Sequence, residues 1–348
     1  MNRGAGSAPC TRDTTAPNTP VISREASHAD GYGAAHMDIA ALPRPDVILT
    51  HESDLDGFVA GHLLVRLARN LFETDVPLEA WNNQGWRQRP MRERAAWICD
   101  LAFEERVDRP DWVIIDHHVV PGAPVNARLI HNPAKCAARL CYELCQARGL
   151  GSSNLDRLVE LTEVGDLFLE AHPDFTLAND YASLLKAYPF WNLSRLLDGN
   201  LDRLLDHPLL EVTQVRRRVE DPIGLAWSRE RVVEVTPQLG FVDVVVGNGN
   251  LIVHELLAAP ECRHPVLMTL LKKGAAGVVA SFRSRDGQAI EVARRLQGGG
   301  HPNASGATLP RSVQSIPDAL TYLRRVLNPT RAVAAALVED PGGLRWDA

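Results

Sequence analysis

Aromatic residues are scarce in this 348-residue chain, at 6%, and positive charge is outnumbered, with 37 Lys and Arg against 43 Asp and Glu. A net charge of -6 excludes an overall basic coat for long nucleic acid. It does not exclude a small anionic substrate, because a local cation outweighs the global sign. No apolar run reaches the roughly 20 residues a membrane helix needs. The first residues hold no apolar signal core, so a cytoplasmic location is expected. Six cysteines, at 10, 99, 136, 141, 145 and 262, form no CxxC pair and no regular framework. Cys141 and Cys145 lie one helical turn apart, which suits a buried thiol pair in a reducing compartment better than a metal site.

What is present is apolar residue in bulk, 45% of the chain, enough for two domains rather than one. Residues 1–43 are rich in Gly, Ala, Pro, Ser and Thr and are expected to form a flexible tail. Residues 44–222 read as an α/β domain. Strands are expected at 45–50, 78–81, 97–101 and 112–115, and helices at 57–71, 137–148 and 155–169. Continuous apolar strands that end in acid residues fit a mainly parallel sheet with ligands at the carboxyl ends. Residues 175–222 look helical and close this domain. Residues 223–335 change texture and form a smaller α/β domain, with strands at 241–246, 265–271 and 277–283. Helices are expected there at 251–259 and 289–296, and residues 336–348 form a frayed tail.

The breaks after the apolar runs carry the chemistry. Trp112-Val113-Ile114-Ile115 ends in Asp116-His117-His118. Trp97-Ile98-Cys99 ends in Asp100. The first strand runs into His51-Glu52-Ser53-Asp54-Leu55-Asp56-Gly57. Asp54 and Asp56, two apart, would face the same way in an extended segment. Asp166 lies in a helical run. Any one Asp could be only a cap or turn residue. Repeated placement after apolar strands points instead to a cluster that cations must neutralise. Carboxylates with imidazoles suit manganese or magnesium better than structural zinc. The expected arrangement is two ions sharing a carboxylate and activating a water. Far downstream, Gly298-Gly299-Gly300-His301 gives a backbone that turns sharply and approaches a ligand closely.

The Asp116-His117-His118 triplet, the aspartates before it and the stretch Gly298-Gly299-Gly300-His301-Pro302-Asn303-Ala304-Ser305-Gly306 resemble the DHH phosphoesterase family. The resemblance is to the branch with a DHH-associated C-terminal domain, over residues 45–170 and 240–310. It implies that His51, Asp54 and Asp100 hold one metal. Asp56, Asp100, His117 and Asp166 would hold the other, with Asp100 as the bridge. His118 would meet the scissile phosphate, and Asp116 would orient the histidines. Arg283, Gly299, Gly300 and His301 would grip the phosphate beyond the scissile bond. His51 precedes Asp54 by one residue fewer than in the oligoribonuclease-like members, which leaves a backbone-bonded strand-end histidine as its alternative role.

The expected function is therefore a manganese-dependent phosphohydrolase with two divalent ions. Its substrate would be a short oligoribonucleotide or a small nucleotide such as 3′-phosphoadenosine 5′-phosphate. The rivals within the family are a single-stranded DNA exonuclease, a cyclic dinucleotide phosphodiesterase and a polyphosphatase. A noncatalytic nucleotide-binding regulator is the rival of a different class. No membrane partner is expected, and the oligomeric state stays open.

Overall fold

Each central strand of the first half is covered on both faces, which is why its apolar run is continuous. The structure, a computed structural model, describes residues 39–118, 122–272 and 277–328. The expected tails at 1–43 and 336–348 fall largely outside the described residues. Where description begins, Ile39–Ala41 makes a turn of 3-10 helix and Leu42 is already buried.

Five parallel strands form the first sheet: β1 (Val47–His51), β2 (Leu78–Trp81), β3 (Ala96–Cys99), β4 (Trp112–Asp116) and β5 (Arg128–His131). Their order is β2-β1-β3-β4-β5. Ile48, Trp97, Cys99, Val113 and Ile115 face a core shared with α1 (Leu55–Phe72), α3 (Ala137–Gln146) and α4 (Ser153–Asp166). Val47, Leu49, Ala96, Ile98, Trp112 and Ile114 face the opposite core with Trp86 of α2 (Asn83–Gln88). This alternation is the two-residue period of a pleated strand. All carboxyl ends reach one edge. Strand order reverses at β1, so the crevice beside β1 and β3 is where such a sheet binds ligands.

Helices α5 (Phe175–Ala187), α6 (Phe190–Leu196) and α7 (Pro208–Arg229) follow, as the helical texture of 175–222 predicts. The boundary expected at 222/223 falls inside α7, which is continuous through Pro222. Leu210, near its start, belongs to the first core, while Leu225 packs on a core of the second half.

The second sheet runs β10-β11-β9-β8-β7-β6. Its strands are β6 (Val233–Thr236), β7 (Leu239–Phe241), β8 (Val266–Lys272), β9 (Val278–Ser284), β10 (Gly299–Gly300) and β11 (Ala304–Thr308). Only the β7–β8 pair is parallel. Helices α9 (Ala289–Arg295) and α10 (Ile316–Leu327) cover one face, and α8 (Gly249–Ala258) packs separately with Leu267. The strand expected at 241–246 is corrected. It ends at Phe241, because the next carbonyls turn towards α7, where Ser228 Oγ donates to Asp243 O at 3.1 Å. Among the described residues no helix is long and apolar enough to cross a membrane.

Candidate metal centre

The approach of β1 to α1 sets the first group of side chains. Thr50 Oγ1 donates to Gly57 O at 2.5 Å. A Cβ at residue 57 would lie 2.3 Å from His51 O, so only glycine permits this contact. Asp54 caps α1, accepting from Gly57 N at 3.1 Å through one oxygen, while the other lies 2.7 Å from His51 Nδ1. The His51 ring is thus held by a carboxylate and not by backbone. Asp56 sits inside the first helical turn, and its two oxygens accept from Ala137 N at 2.8 Å and Ala138 N at 2.6 Å where α3 begins. The expectation that Asp54 and Asp56 share one extended segment is therefore corrected. A helix begins between them, and tertiary contact rather than strand alternation brings both to the cluster.

Asp100 follows β3 with φ 55, a left-handed conformation that Asp tolerates better than most residues. Its backbone N–H is tied to Ile115 O at 3.1 Å. One carboxylate oxygen lies 3.6 Å from His51 Nδ1. The other lies 3.6 Å from His117 Nε2 and 4.0 Å from His118 Nδ1. His117 Nε2 is also 3.6 Å from Asp56 and 3.5 Å from Asp166, at the end of α4. Asp116 is fully buried and pairs with His118 Nδ1 at 2.8 Å.

These spacings fit cations. Separations of 3.5–3.6 Å are too long for hydrogen bonds. They suit donors that each stand about 2.0–2.2 Å from a common ion. Asp100 Oδ2, Asp116 Oδ2, Asp166 Oδ2 and both His117 ring nitrogens are buried without a hydrogen-bond partner. Orphaned polar atoms are costly unless something charged completes them. Among the described residues four overlapping groups could hold an ion: His51 with Asp54 and Asp100, Asp56 with His117 and Asp166, Asp100 with Asp116, His117 and His118, and His117 with His118 and His301. All six residues expected as metal ligands are thus brought together.

Without an ion the groups perturb one another strongly. Burial raises Asp56 to about 7, and Asp100 adds to the rise. Burial also pushes Asp166 well above the carboxylate range, with Asp56 and Asp100 adding to it. Burial disfavours the His117 charge, but Asp100 and Asp56 outweigh it and raise the ring to about 9. His118 reaches about 9 the same way, through Asp116. Burial works against ionised Asp116, yet the His118 bond holds it below the usual range.

The second sheet supplies the opposite wall. The His301 ring centroid lies 5.2 Å from that of His117 and 5.3 Å from that of His118. Burial, followed by the charges of His118 and His117, pushes His301 down to about 4. Arg283, on β9 beside Ala304, has no carboxylate partner among the described residues, and burial lowers it to about 10. Gly299 and Gly300 form the hairpin strand β10 just before His301. Gly300 has φ 128, and a Cβ there would lie 2.6 Å from Ala304 O, so its first role is to make the hairpin.

Two contributors lie outside the residues expected at the site. Lys186, at the end of α5, is reached by water yet ringed by protein. Burial, then Arg283, lowers it to about 8, while Asp54 works the other way. A lone Lys in a helical run carries no signal of this. His131, opposite Asp116 in the β4–β5 ladder, bonds His118 O through Nε2 at 2.8 Å. Its place after a short strand was the available signal. A hollow of 510 Å³ behind α1 shares no residue with the cluster, and its Arg66 and Arg69 are paired with Asp202 and Asp75. Volume alone does not mark the chemistry here.

Residues 259–328 match the family described as the DHHA1 domain. No curated protein matches the chain significantly. Among solved structures, exonuclease RecJ bound to manganese is similar over 84% of this chain and 92% of its own, with 14% identity and a TM-score of 0.55. A pGpG-specific phosphodiesterase, PggH from Vibrio cholerae, is 17% identical over 81% of this chain and 99% of its own, with a TM-score of 0.49. An exopolyphosphatase-related protein from Bacteroides fragilis is 14% identical over 82% and 92%, with a TM-score of 0.47. The fold is that of the RecJ structure. The DHHA1 match, together with the Asp116-His117-His118 triplet ending β4, agrees with a resemblance to the branch of DHH phosphoesterases that carries this domain.

Proposed function

We propose that this chain is a metal-dependent phosphohydrolase acting on short oligoribonucleotides or small nucleotide phosphates. Asp100 carries the reading, because its two oxygens face two separate ligand groups, each at 3.6 Å from an imidazole nitrogen. His51, Asp54 and Asp100 would hold one ion. Asp56, Asp100, His117 and Asp166 would hold a second. Two divalent ions, manganese in the first instance and magnesium in the second, would supply Lewis-acid charge and a lowered pKa for the attacking water.

The chain's own residues then bind and orient. His118 is fixed by Asp116 through Nδ1 and by its own carbonyl through His131. In the ion-free protein Asp116 holds the His118 proton near neutral pH, and His118 would offer that proton to a phosphoryl or leaving oxygen. Arg283 and Lys186 bring positive charge without a tight carboxylate pair, suited to a phosphate next to the scissile one. His301, neutral at that pH, adds a hydrogen bond rather than a charge. DHHA1 residues stand so close to the metal cluster that the grip falls within a few nucleotides of the cut. The acidic net charge supports a short substrate over a long polyanion.

The test is a manganese-supplemented series of RNA and DNA lengths, with phosphoadenosine phosphate, cyclic dinucleotides and polyphosphate beside it. We expect kcat/KM to peak at RNA dimers to tetramers. Efficiency still rising beyond about ten nucleotides would move the assignment to a single-stranded exonuclease. Cleavage of polyphosphate alone would move it to a polyphosphatase. Tight binding with no turnover would make the chain a regulator.

A further inference from the structure

Helix α7 wears its amphipathicity inside out. The face turned to its own fold buries Leu210 at one end and packs Leu225 at the other, with small and polar residues between them. Thr213, Gly224 and Ser228 are buried there. Arg217 donates to Asp180 at 2.6 Å, and Asp221 accepts from Asn248 N at 2.7 Å. The opposite face carries Val212, Val215, Val219, Ile223 and Trp227, each between 39% and 58% exposed. Their spacing of three and four residues makes one continuous stripe along the 22-residue helix. Isolated exposed apolar residues are ordinary, whereas a contiguous stripe marks an interaction surface. Arg231 stacks on the Trp227 ring at 3.8 Å, and the stretch from Val212 to Ile223 stays exposed.

We propose that α7 is the contact of a two-fold homodimer, in which two copies of the helix pack antiparallel about Val219. The stripe is its own complement under that rotation. Val219 meets Val219, Val215 meets the partner's Ile223, and Val212 meets the partner's Ala226. The charges beside the stripe obey the same symmetry. Glu211 and Arg229 are 18 residues apart, about five helical turns, so they lie on one edge at opposite ends. Antiparallel pairing sets each Glu211 against the partner's Arg229, twice per dimer. Glu211 has no side-chain partner among the described residues, and Arg229 has only a loose pair with exposed Glu261 at 3.8 Å. On the other edge Arg216 and Glu220 pair with each other within the helix at 3.1 Å, one residue off the same centre. An unrelated partner gives no reason for a stripe and flanking charges that match themselves, whereas an isologous contact requires it.

The full-length protein should sediment as a dimer at micromolar concentration. Val219→Glu combined with Ile223→Glu should yield a monomer of unchanged thermal stability and helix content. Glu211→Arg and Arg229→Glu should each weaken the dimer on the order of tenfold. The double reversal should restore it, because only the antiparallel register pairs these two positions. A monomeric wild type overturns the proposal. If the Glu variant then also loses thermal stability, the face is covered by a segment of the same chain. A dimer indifferent to the stripe variant, or a double reversal no better than the singles, overturns it as well.

Discussion

His117 and His301 stand 5.2 Å apart, ring centre to ring centre, and titrate in opposite directions. On the first-sheet side, Asp56, Asp100 and Asp166 surround His117 and push it up to about 9. On the second-sheet side, burial and the two histidines opposite push His301 down to about 4. Arg283 on that sheet, and Lys186 at the end of α5, add cations with no tight carboxylate pair. One wall has carboxylates in excess and wants metal ions, and the other has cations in excess and wants an anion. A phosphate held between them would satisfy both, because neither wall is balanced alone. The same residue type therefore serves two chemistries, decided by its neighbours.

The sharpest way to break this contrast is at the centre of the acidic wall. Asp100→Ala should lower kcat/KM by at least on the order of a thousandfold and reduce metal content in both ligand groups. Elemental analysis showing two ions per chain with full turnover would remove Asp100 as the bridge. On the cationic wall, Arg283→Ala and His301→Ala should leave metal content intact. KM should rise by roughly ten- to a hundredfold, with kcat falling too if the contact strengthens in the transition state. Metal loss in either variant would merge the two walls into one function.

A smaller effect should appear in metal-free protein between pH 6.5 and 9. His117 and His118 have folded values of about 9 against an ordinary 6.5. The stability they add is complete below 6.5 and is lost as pH rises through 9. Asp56, at about 7 from an ordinary 3.8, has the same sign and finishes its loss near neutrality. His301 acts oppositely between about 4 and 6.5, and Lys186, lowered to about 8, acts oppositely above that value. Metal-free protein should therefore lose on the order of a few kcal/mol across this window. The thermal shift on adding manganese should grow over the same range, because ligands must shed protons to bind. A flat profile in thermal melts without metal would show that the carboxylates do not charge the histidines.

The central strands were legible because two-sided burial writes itself as uninterrupted apolar residues. β1, β2, β3 and β4 lie where their runs predict, and the breaks after β1, β3 and β4 hold the cluster. β5 and β6 were not read. Arg128-Leu129-Ile130-His131 and Val233-Glu234-Val235-Thr236 form edge strands, short and half exposed, defined by the neighbour they pair with. The run Phe241–Val246 looked like a strand, but β7 is Leu239–Phe241 and shares only Phe241 with it, since α7 takes the Asp243 carbonyl. Glycine marked the turn before His301, but not that β10 and β11 close a hairpin there.

What the sequence determined by itself is local. Apolar runs make strands, acids and imidazoles follow their ends, and Gly57 and Gly300 stand where only glycine fits. Tertiary structure decided which of those groups meet. Asp56 reaches the cluster because α3 begins beside it, Asp166 because α4 ends there, and His301 because a second sheet folds across the first. Charge follows from that meeting, since burial and neighbouring charges set whether a given imidazole holds its proton.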